Sequence, residues 1–503
     1  MNCIDFPVPT GLRRKTQMKK RMGILFLVIA MLCGTLTACG TADDALETDP
    51  ASADSIPADT GTESEEILSD NLPERDFGGI QTNLLITDEH ITKHRADELT
   101  GDVLNDAVFN RNKQVEERFN VELNMIEQAA GWINRGQYMT AVRNAVSSGD
   151  SAYDIVAPEY YYGQEMILEG LFQDLVQMEY IDLSMPWWTP GYNDNAMIAG
   201  KLYGAVGSFS LAQLYKISVL YFQKELSAAL NLPDLYEIVR QGEWIFDSFY
   251  TYASMGALDK NGDGTIALEQ DQLGYLLVPH GCRSFTTNFD IPYIVREGDA
   301  YEIVFYSEKM LSVFETITSM VNKTEFASLC ADYTEMETVF QEGRALFMTD
   351  MLGNAAALRE MEGGFGILPM PKYDLQQAEY HSQPTGTELF AIPVTVSDPE
   401  RVSILLEALN AETYFTVVPD YYEVSLKGKT ARDEESGEMM DIIIDGLYYD
   451  FAFINGSNME YIADQFGNEI VNGADDFASH WASKVSVYET KLGEMLEKYK
   501  ALQ

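Results

Sequence analysis

The order of apolar patterns between residues 84 and 157 constrains this chain more than any other feature. Leu84-Leu85-Ile86 is a short apolar strand. A helical pattern follows, with Leu104, Val108, Val115 and Phe119 on one face and Arg111, Lys113, Glu116 and Glu117 mostly off it. Val121, Leu123 and Met125 then alternate with Glu122 and Asn124, the period of a half-buried strand. A second helix is expected near 137–148 from Met139, Val142 and Val146, stopped by Gly149, and residues 153–157 make a third strand. This β-α-β-α-β order implies an open, mostly parallel α/β sheet. Ligands of such sheets sit beyond the carboxyl ends of the strands. The segments Thr87-Asp88-Glu89 and Pro158-Glu159-Tyr160-Tyr161-Tyr162 are therefore the first places to look for function.

A second α/β region starts near 206, with the strand-like LYKISVLYF and several helices, one near 307–322. At the C-terminus Phe477, Trp481, Val485, Tyr488, Leu492, Leu496 and Tyr499 fall on one helical stripe, the pattern of core packing. A body of roughly 425 residues is too long for one ordinary domain.

The N-terminal residues speak of location. Arg13, Arg14, Lys15, Lys19, Lys20 and Arg21 precede the apolar run MGILFLVIAMLCG, residues 22–34. That run is about half to two-thirds of the ~20 residues a membrane span needs, so it suits a secretory signal. Leu36-Thr37-Ala38-Cys39 resembles a bacterial lipobox, which implies cleavage of a signal at residues 1–38 and lipid attachment to Cys39. Met18 would begin a signal of more usual length. Residues 39–76, rich in Thr, Ala, Asp, Glu and Ser, are expected to form an unfolded acidic tether spanning about 35 Å root-mean-square.

Loss of residues 1–39 takes six basic residues and Asp5 from totals of 34 Lys+Arg and 79 Asp+Glu, leaving 28 and 78, a net charge of −50. Nucleic-acid binding needs a basic footprint, so that class is excluded. The same charge favours a soluble monomer. Cys282 and Cys330 remain; a disulfide between them is permitted outside the cell, but two cysteines do not make a framework.

No catalytic signature stands out: there is no G-x-S-x-G, H-E-x-x-H, G-x-x-x-x-G-K-S/T or strand-following G-x-G-x-x-G. His90 and His94 stand four apart beside Glu89, and the stretch DEHITKH reads as a solvated charged segment rather than a metal site. Residues 259–270, DKNGDGTIALEQ, match a calcium loop in part. Asp259, Asn261 and Asp263 occupy loop positions 1, 3 and 5, Gly264 provides the turn, and the Thr265 carbonyl takes position 7. Gln270 replaces the bidentate Glu of position 12, so Glu269 or Asp271 would have to close the coordination. The two readings are a single structural Ca2+ site and an Asx-rich turn.

Several stretches together resemble the extracellular solute-binding lipoproteins of bacterial ABC importers, family 1, which includes maltose- and alginate-oligosaccharide-binding proteins. They are NDAVFNRNKQVEERFNVELN (105–124), MPWWTPGYN (185–193), GKLYGAVGSFSL (200–211), LPDLYEIVRQGEWIFDSFYTYA (232–253), FQEGRALFM (340–348), FGILPMPKY (365–373) and YYEVSLKGKTARDEESGEMMDIII (421–444). The resemblance implies a two-lobed periplasmic-binding-protein type II fold with a hinge and an interlobe ligand cleft. Lobe one would be 77–205 plus 385–415, and lobe two 206–384 plus 416–503. The crossovers would lie in GKLYGAVG and in TGTELFAIP, residues 385–393.

It also implies a non-enzymatic protein at the outer face of the cytoplasmic membrane, anchored only through Cys39, that delivers a solute to permease subunits. An oligosaccharide is the expected solute. Sugar clefts need flat aromatic faces and polar groups for hydroxyls. The candidates are Trp187 and Trp188 in a Pro-flanked turn, Tyr160 and Tyr161 past a strand end, and Asp88, Glu159, Arg283 and Asp350. Trp244, before a helix pattern, is expected to be a structural anchor. A surface glycan hydrolase or adhesion lipoprotein, and a peptide binder on the same fold, are the rival readings.

Overall fold

In a computed structural model, residues 68–428 and 433–502 are described. The expected signal, Cys39 and most of the expected tether lie outside them. Strand β1 (Ile80–Thr87) leads through the short helix α1 (Ile91–His94) into α2 (Val103–Phe119). The Asp102 carboxylate accepts the N–H groups of Leu104 and Asn105, which starts α2, and Asn120 ends it in the left-handed region at φ 49°. Then come β2 (Val121–Gln128), α3 (Arg135–Ser148) with Gly149 at φ 69° as its stop, β3 (Ile155–Ala157) and α4 (Tyr160–Leu168). The strands pair in parallel in the order β2-β1-β3, with Ile80 opposite Val121 and Leu84 opposite Ile155. Beyond β3 the sheet continues through the bridges Val156–Ala391 and Ala205–Phe390. This is lobe one, and its element order is the one read from the apolar periodicity.

Lobe two contains β4 (Ser218–Gln223), β5 (Leu273–Leu277), α5 (Glu308–Lys323), β6 (Ala327–Leu329), β7 (Ala345–Met351) and β8 (Phe365–Leu368). The sheet order is β8-β4-β7-β5-β6; β4 runs antiparallel to both neighbours, while β7, β5 and β6 are parallel. The carboxyl ends of those three strands therefore open on one edge. Trp244 is the anchor expected, fully buried with its indole N–H donating to the Pro369 carbonyl at 3.0 Å.

Two crossovers run side by side between the lobes. The Ser218 N–H donates to the Gln383 carbonyl at 3.3 Å and the Thr385 N–H to the Lys216 carbonyl at 2.6 Å, around an Ile217–Pro384 bridge. A third path is the helix α6 (Pro399–Glu412), buried in lobe one, which continues toward α7 (Glu434–Asp445) on lobe two. It widens into π-helical turns over Thr413–Val417 and Asp420–Gly428, on either side of Pro419, whose ring cannot fit a regular α-helical ladder. Helix α8 (Ile462–Val471) packs on lobe two, and α9 (Phe477–Ala501) touches both lobes. At one end of α9 Phe477 meets Phe314 at 4.8 Å between ring centroids, and at the other Tyr499 meets Tyr203 at 5.5 Å. No described helix is long and apolar enough to cross a membrane.

Candidate functional site

The loop after β1 differs from its sequence reading. DEHITKH is solvated only in part: Asp88, Glu89 and Thr92 are exposed, but α1 turns His90 and His94, one helical turn apart, inward to full burial. Their partners come from far along the chain. His90 Nε2 donates to Glu159 Oε1 at 2.7 Å, and His94 Nε2 lies 3.1 Å from both oxygens of Glu388. Lys216, on the first crossover, donates to Glu159 at 2.8 Å and to Glu89 at 2.9 Å. Burial alone would raise the Glu159 carboxyl, but Lys216 and His90 outweigh it and hold its pKa at about 2. Burial likewise opposes the charge on Lys216, yet Glu159 and Glu89 keep it firmly protonated. Glu89, His90 and Glu159 are the one group among the described residues whose side chains converge within 4.8 Å as metal ligands would. The Lys216 ammonium already sits among them as their cation.

Asp88 is exposed at the end of β1. Its carboxylate accepts the Ala130 N–H at 3.0 Å and fastens the loop after β2. That loop carries Trp132, a residue the strand-end rule reaches as readily as the loops after β1 and β3. Trp132 is 51% exposed, the only one of the five tryptophans left open. Arg135 covers one ring face at 3.9 Å. Tyr161 lies 5.4 Å away from the lobe-one side, and Tyr461, at the start of α8, 6.1 Å away from the lobe-two side. Glu460 and Tyr461 hold φ values of 52° and 53°, a left-handed pair that costs about 1–2 kcal/mol per residue. That strained turn sets the Tyr461 ring at 75° to Trp132.

Tyr160 is buried beneath Tyr161, where burial pushes its hydroxyl up to about 12. Arg283 follows the carboxyl end of β5, donates to Asp464 of α8 at 2.5 Å and lies over the Phe453 ring at 5.7 Å. Asp350 is near the carboxyl end of β7. It and Arg283 line one small cavity with Ser218, Tyr333, Gln383 and Thr385. Val278, His280 and Tyr333 continue from it into an open groove of about 620 Å³ walled by α8. Glu159, Tyr160, Tyr161, Arg283 and Asp350 thus lie where the lobes and crossovers meet, and Trp132, Lys216, Tyr461 and Gln383 join them.

Trp187 and Trp188 do not join them as ring platforms. They are 0% and 1% exposed, and their indole N–H groups donate to one Glu407 carboxylate at 2.7 and 2.9 Å. The Pro-flanked turn drives both rings under α6, where the carboxylate satisfies them. Burial pushes Glu407 up to about 7 in spite of these bonds.

In the 259–271 loop the acidic groups mostly serve their own backbone. Asp259 accepts from Gly262 and Gly264 at 2.6 and 2.8 Å, and Asp263 from the Thr265 N–H and hydroxyl at 2.9 and 2.7 Å. Asn261 donates to Asp263 and to Gln270, both at 3.0 Å. Asp271 is fully buried and fastens the loop by accepting from Lys260 and Ala267, each at 2.9 Å, while Glu269 lies exposed. Cys282 and Cys330 are both free, buried thiols.

Two sheets with ends opening on a shared cleft, tied by paired crossovers, are matched among solved structures. One is an ABC substrate-binding protein from Listeria monocytogenes in complex with cycloalternan: 12% identity, TM-score 0.50, covering 84% of this chain and 98% of that one. Another is the galacto-N-biose/lacto-N-biose I-binding protein of the ABC transporter from Bifidobacterium longum, in complex with lacto-N-biose: 13%, 0.54, 84% and 99%. A third is an ABC transporter solute-binding protein from Thermotoga lettingae bound with α-D-tagatose: 12%, 0.52, 83% and 100%. The chain has the two-lobed fold of ABC solute-binding proteins. No family model and no curated protein matches its sequence.

Proposed function

We propose that this protein captures an oligosaccharide between its lobes and delivers it to the permease of an ABC importer, without chemistry on the solute. One observation carries the reading: Trp132, half exposed, is flanked by Tyr161 of lobe one at 5.4 Å and Tyr461 of lobe two at 6.1 Å. Aromatic faces on both sides of a hinge let a sugar ring bridge the lobes, and contacts made only on closure are what shift such an equilibrium. Glu159, Tyr160, Tyr161, Arg283 and Asp350 belong to this cleft. The anchor is a diacylglyceryl group on Cys39 at the outer face of the cytoplasmic membrane, and the protein acts as a monomer.

A thermal-shift screen of the protein against neutral oligosaccharides and short peptides tests the solute class, with product analysis alongside. Stabilisation by a saccharide without turnover is expected. Release of shorter sugars would replace the reading with a glycan hydrolase, and a shift given only by peptides would replace the solute.

The 259–271 loop takes one Ca2+ as a staple in this proposal, through Asp259, Asn261, Asp263 and the Thr265 carbonyl, with Glu269 swinging in. Asp271 is left to its backbone partners. Affinity would be of the weak extracellular kind, about 0.1–1 mM. A melting temperature that is the same in millimolar calcium and in chelator removes the site.

A further inference from the structure

Val278, His280 and Tyr333 line both the small cavity of lobe two and the open groove of about 620 Å³. The Tyr333 hydroxyl lies 2.5 Å from His280 Nε2, with the two rings 5.3 Å apart and inclined at 69°. This pair is the boundary that the two spaces share. The far wall of the groove is α8. Gln465, Asn468, Glu469 and Asn472 all line it, spaced i, i+3, i+4 and i+7, which is one face of a helix. From Gln465 to Asn472 that face runs about 10 Å. The helix starts directly after Tyr461, whose ring packs on Trp132. The polar face therefore leads away from the aromatic cluster of the cleft.

The two acids on the groove walls have partners, and the amides are largely unspent. Glu469 Oε1 lies 3.3 Å from His480 Nδ1, and Asp332 accepts the Glu335 N–H at 2.9 Å. Gln465 places Nε2 at 3.4 Å from the Tyr461 carbonyl, a long bond. Asn468 and Asn472 are exposed and make no side-chain hydrogen bond among the described residues. An amide carries both an acceptor and two donors, and a hydroxyl is itself donor and acceptor, so a row of amides suits a run of hydroxyls. The apolar residues of the lining are only Val278, Pro279, Ala331 and Val471, too small a set to pocket a large apolar side chain. Tyr333 adds a half-buried ring for the C–H face of a sugar. The volume lies within the range of ligand sites, about 300–1,000 Å³.

We propose that the groove extends the solute site: a linear oligosaccharide held at the cleft continues past His280 and Tyr333 along α8, with one unit against the Tyr333 ring and its outer hydroxyls on Gln465, Asn468 and Asn472. The extension rests on the saccharide reading of the cleft and narrows it to linear chains long enough to reach the groove. Shorter sugars fill the cleft alone and bind more weakly. His280 holds the Tyr333 ring in place through its hydroxyl.

Calorimetric titration of the full chain tests this with a ladder of linear di- to hexasaccharides, in the linkage series that gives the largest thermal shift. Affinity should rise 10-fold or more from the disaccharide to the hexasaccharide. Tyr333→Ala should weaken the hexasaccharide 10-fold or more, and Tyr333→Phe, which keeps the ring, should recover most of the loss. Asn468→Ala combined with Asn472→Ala alters only exposed positions of α8 and serves in case the Tyr333 variants fold poorly. It should weaken the hexasaccharide at least 5-fold and flatten the ladder. A ladder that is flat in wild type overturns the groove while leaving the cleft reading in place. A hexasaccharide whose affinity the double Asn variant leaves unchanged overturns it too. Binding of no saccharide of any length, with peptides bound instead, overturns the cleft reading and the groove with it, a result distinct from the other two.

Discussion

Replacing Trp132 by Ala removes the largest open aromatic face of the cleft, and the size of the loss follows from its surroundings. A fully covered indole buries up to about 250 Å², so at 51% exposure roughly 125 Å² is still open. Arg135 lies over the ring at 3.9 Å and Tyr161 and Tyr461 pack beside it at 5.4 and 6.1 Å, so a sugar ring has the surface that these three leave open. Covering about 100 Å² of that apolar surface at about 25 cal/mol per Å² is worth about 2.5 kcal/mol, or roughly 70-fold in Kd. Calorimetry on the saccharide that gives the largest thermal shift reads this directly. The heat-capacity change of binding should also become less negative, since less apolar surface is buried. Trp132→Phe should recover part of the loss. Trp188→Phe is the control: it strips one N–H from Glu407 and lowers stability, yet should leave Kd within about threefold, because its ring does not reach the solute. A saccharide that binds Trp132→Ala as tightly as wild type would refute the stacking argument. So would an equal affinity loss in the Trp188 control.

Lys216→Met should cost about 3–5 kcal/mol, because it leaves the buried Glu159 with His90 as its sole charged partner; the urea midpoint measures it. Since Glu159 falls from 4.5 to about 2 on folding, its stabilisation is complete above the unfolded value and is lost as pH falls toward 2; the variant should lose that acid limb, and a wild-type limb would contradict the assignment. Glu407→Gln can accept only one of the two indole N–H groups through its single amide oxygen and should cost about 1–3 kcal/mol, with solute affinity unchanged. Asp350 runs the other way: burial, with Glu337 beside it, pushes it from 3.8 up to about 8, so the folded state keeps a proton that the unfolded chain releases. Stability should therefore decline as pH rises through that interval, and denaturant melts at pH 5 and pH 9 should show the decline in wild type and not in Asp350→Asn.

The parts of this fold that were legible in the sequence are those fixed by neighbours. Val121, Leu123 and Met125 alternate because one strand has two faces, and the parallel pairing of β1 with β2 and β3 follows from the helices between them. Gly149 ends α3 because its φ of 69° is cheap for glycine alone. Side-chain exposure in the cleft obeys no such local rule. Trp187 beside Trp188 reads the same whether the rings face solvent or Glu407, and that carboxylate lies 220 and 219 residues away. DEHITKH is as polar as a solvated segment until Glu388, 294 residues from His94, supplies a partner inside the protein. Trp132 was within reach because the strand-end rule needs only the position of β2. Local pattern can thus name the loops that border the cleft, while the crossovers decide which of their side chains turn inward.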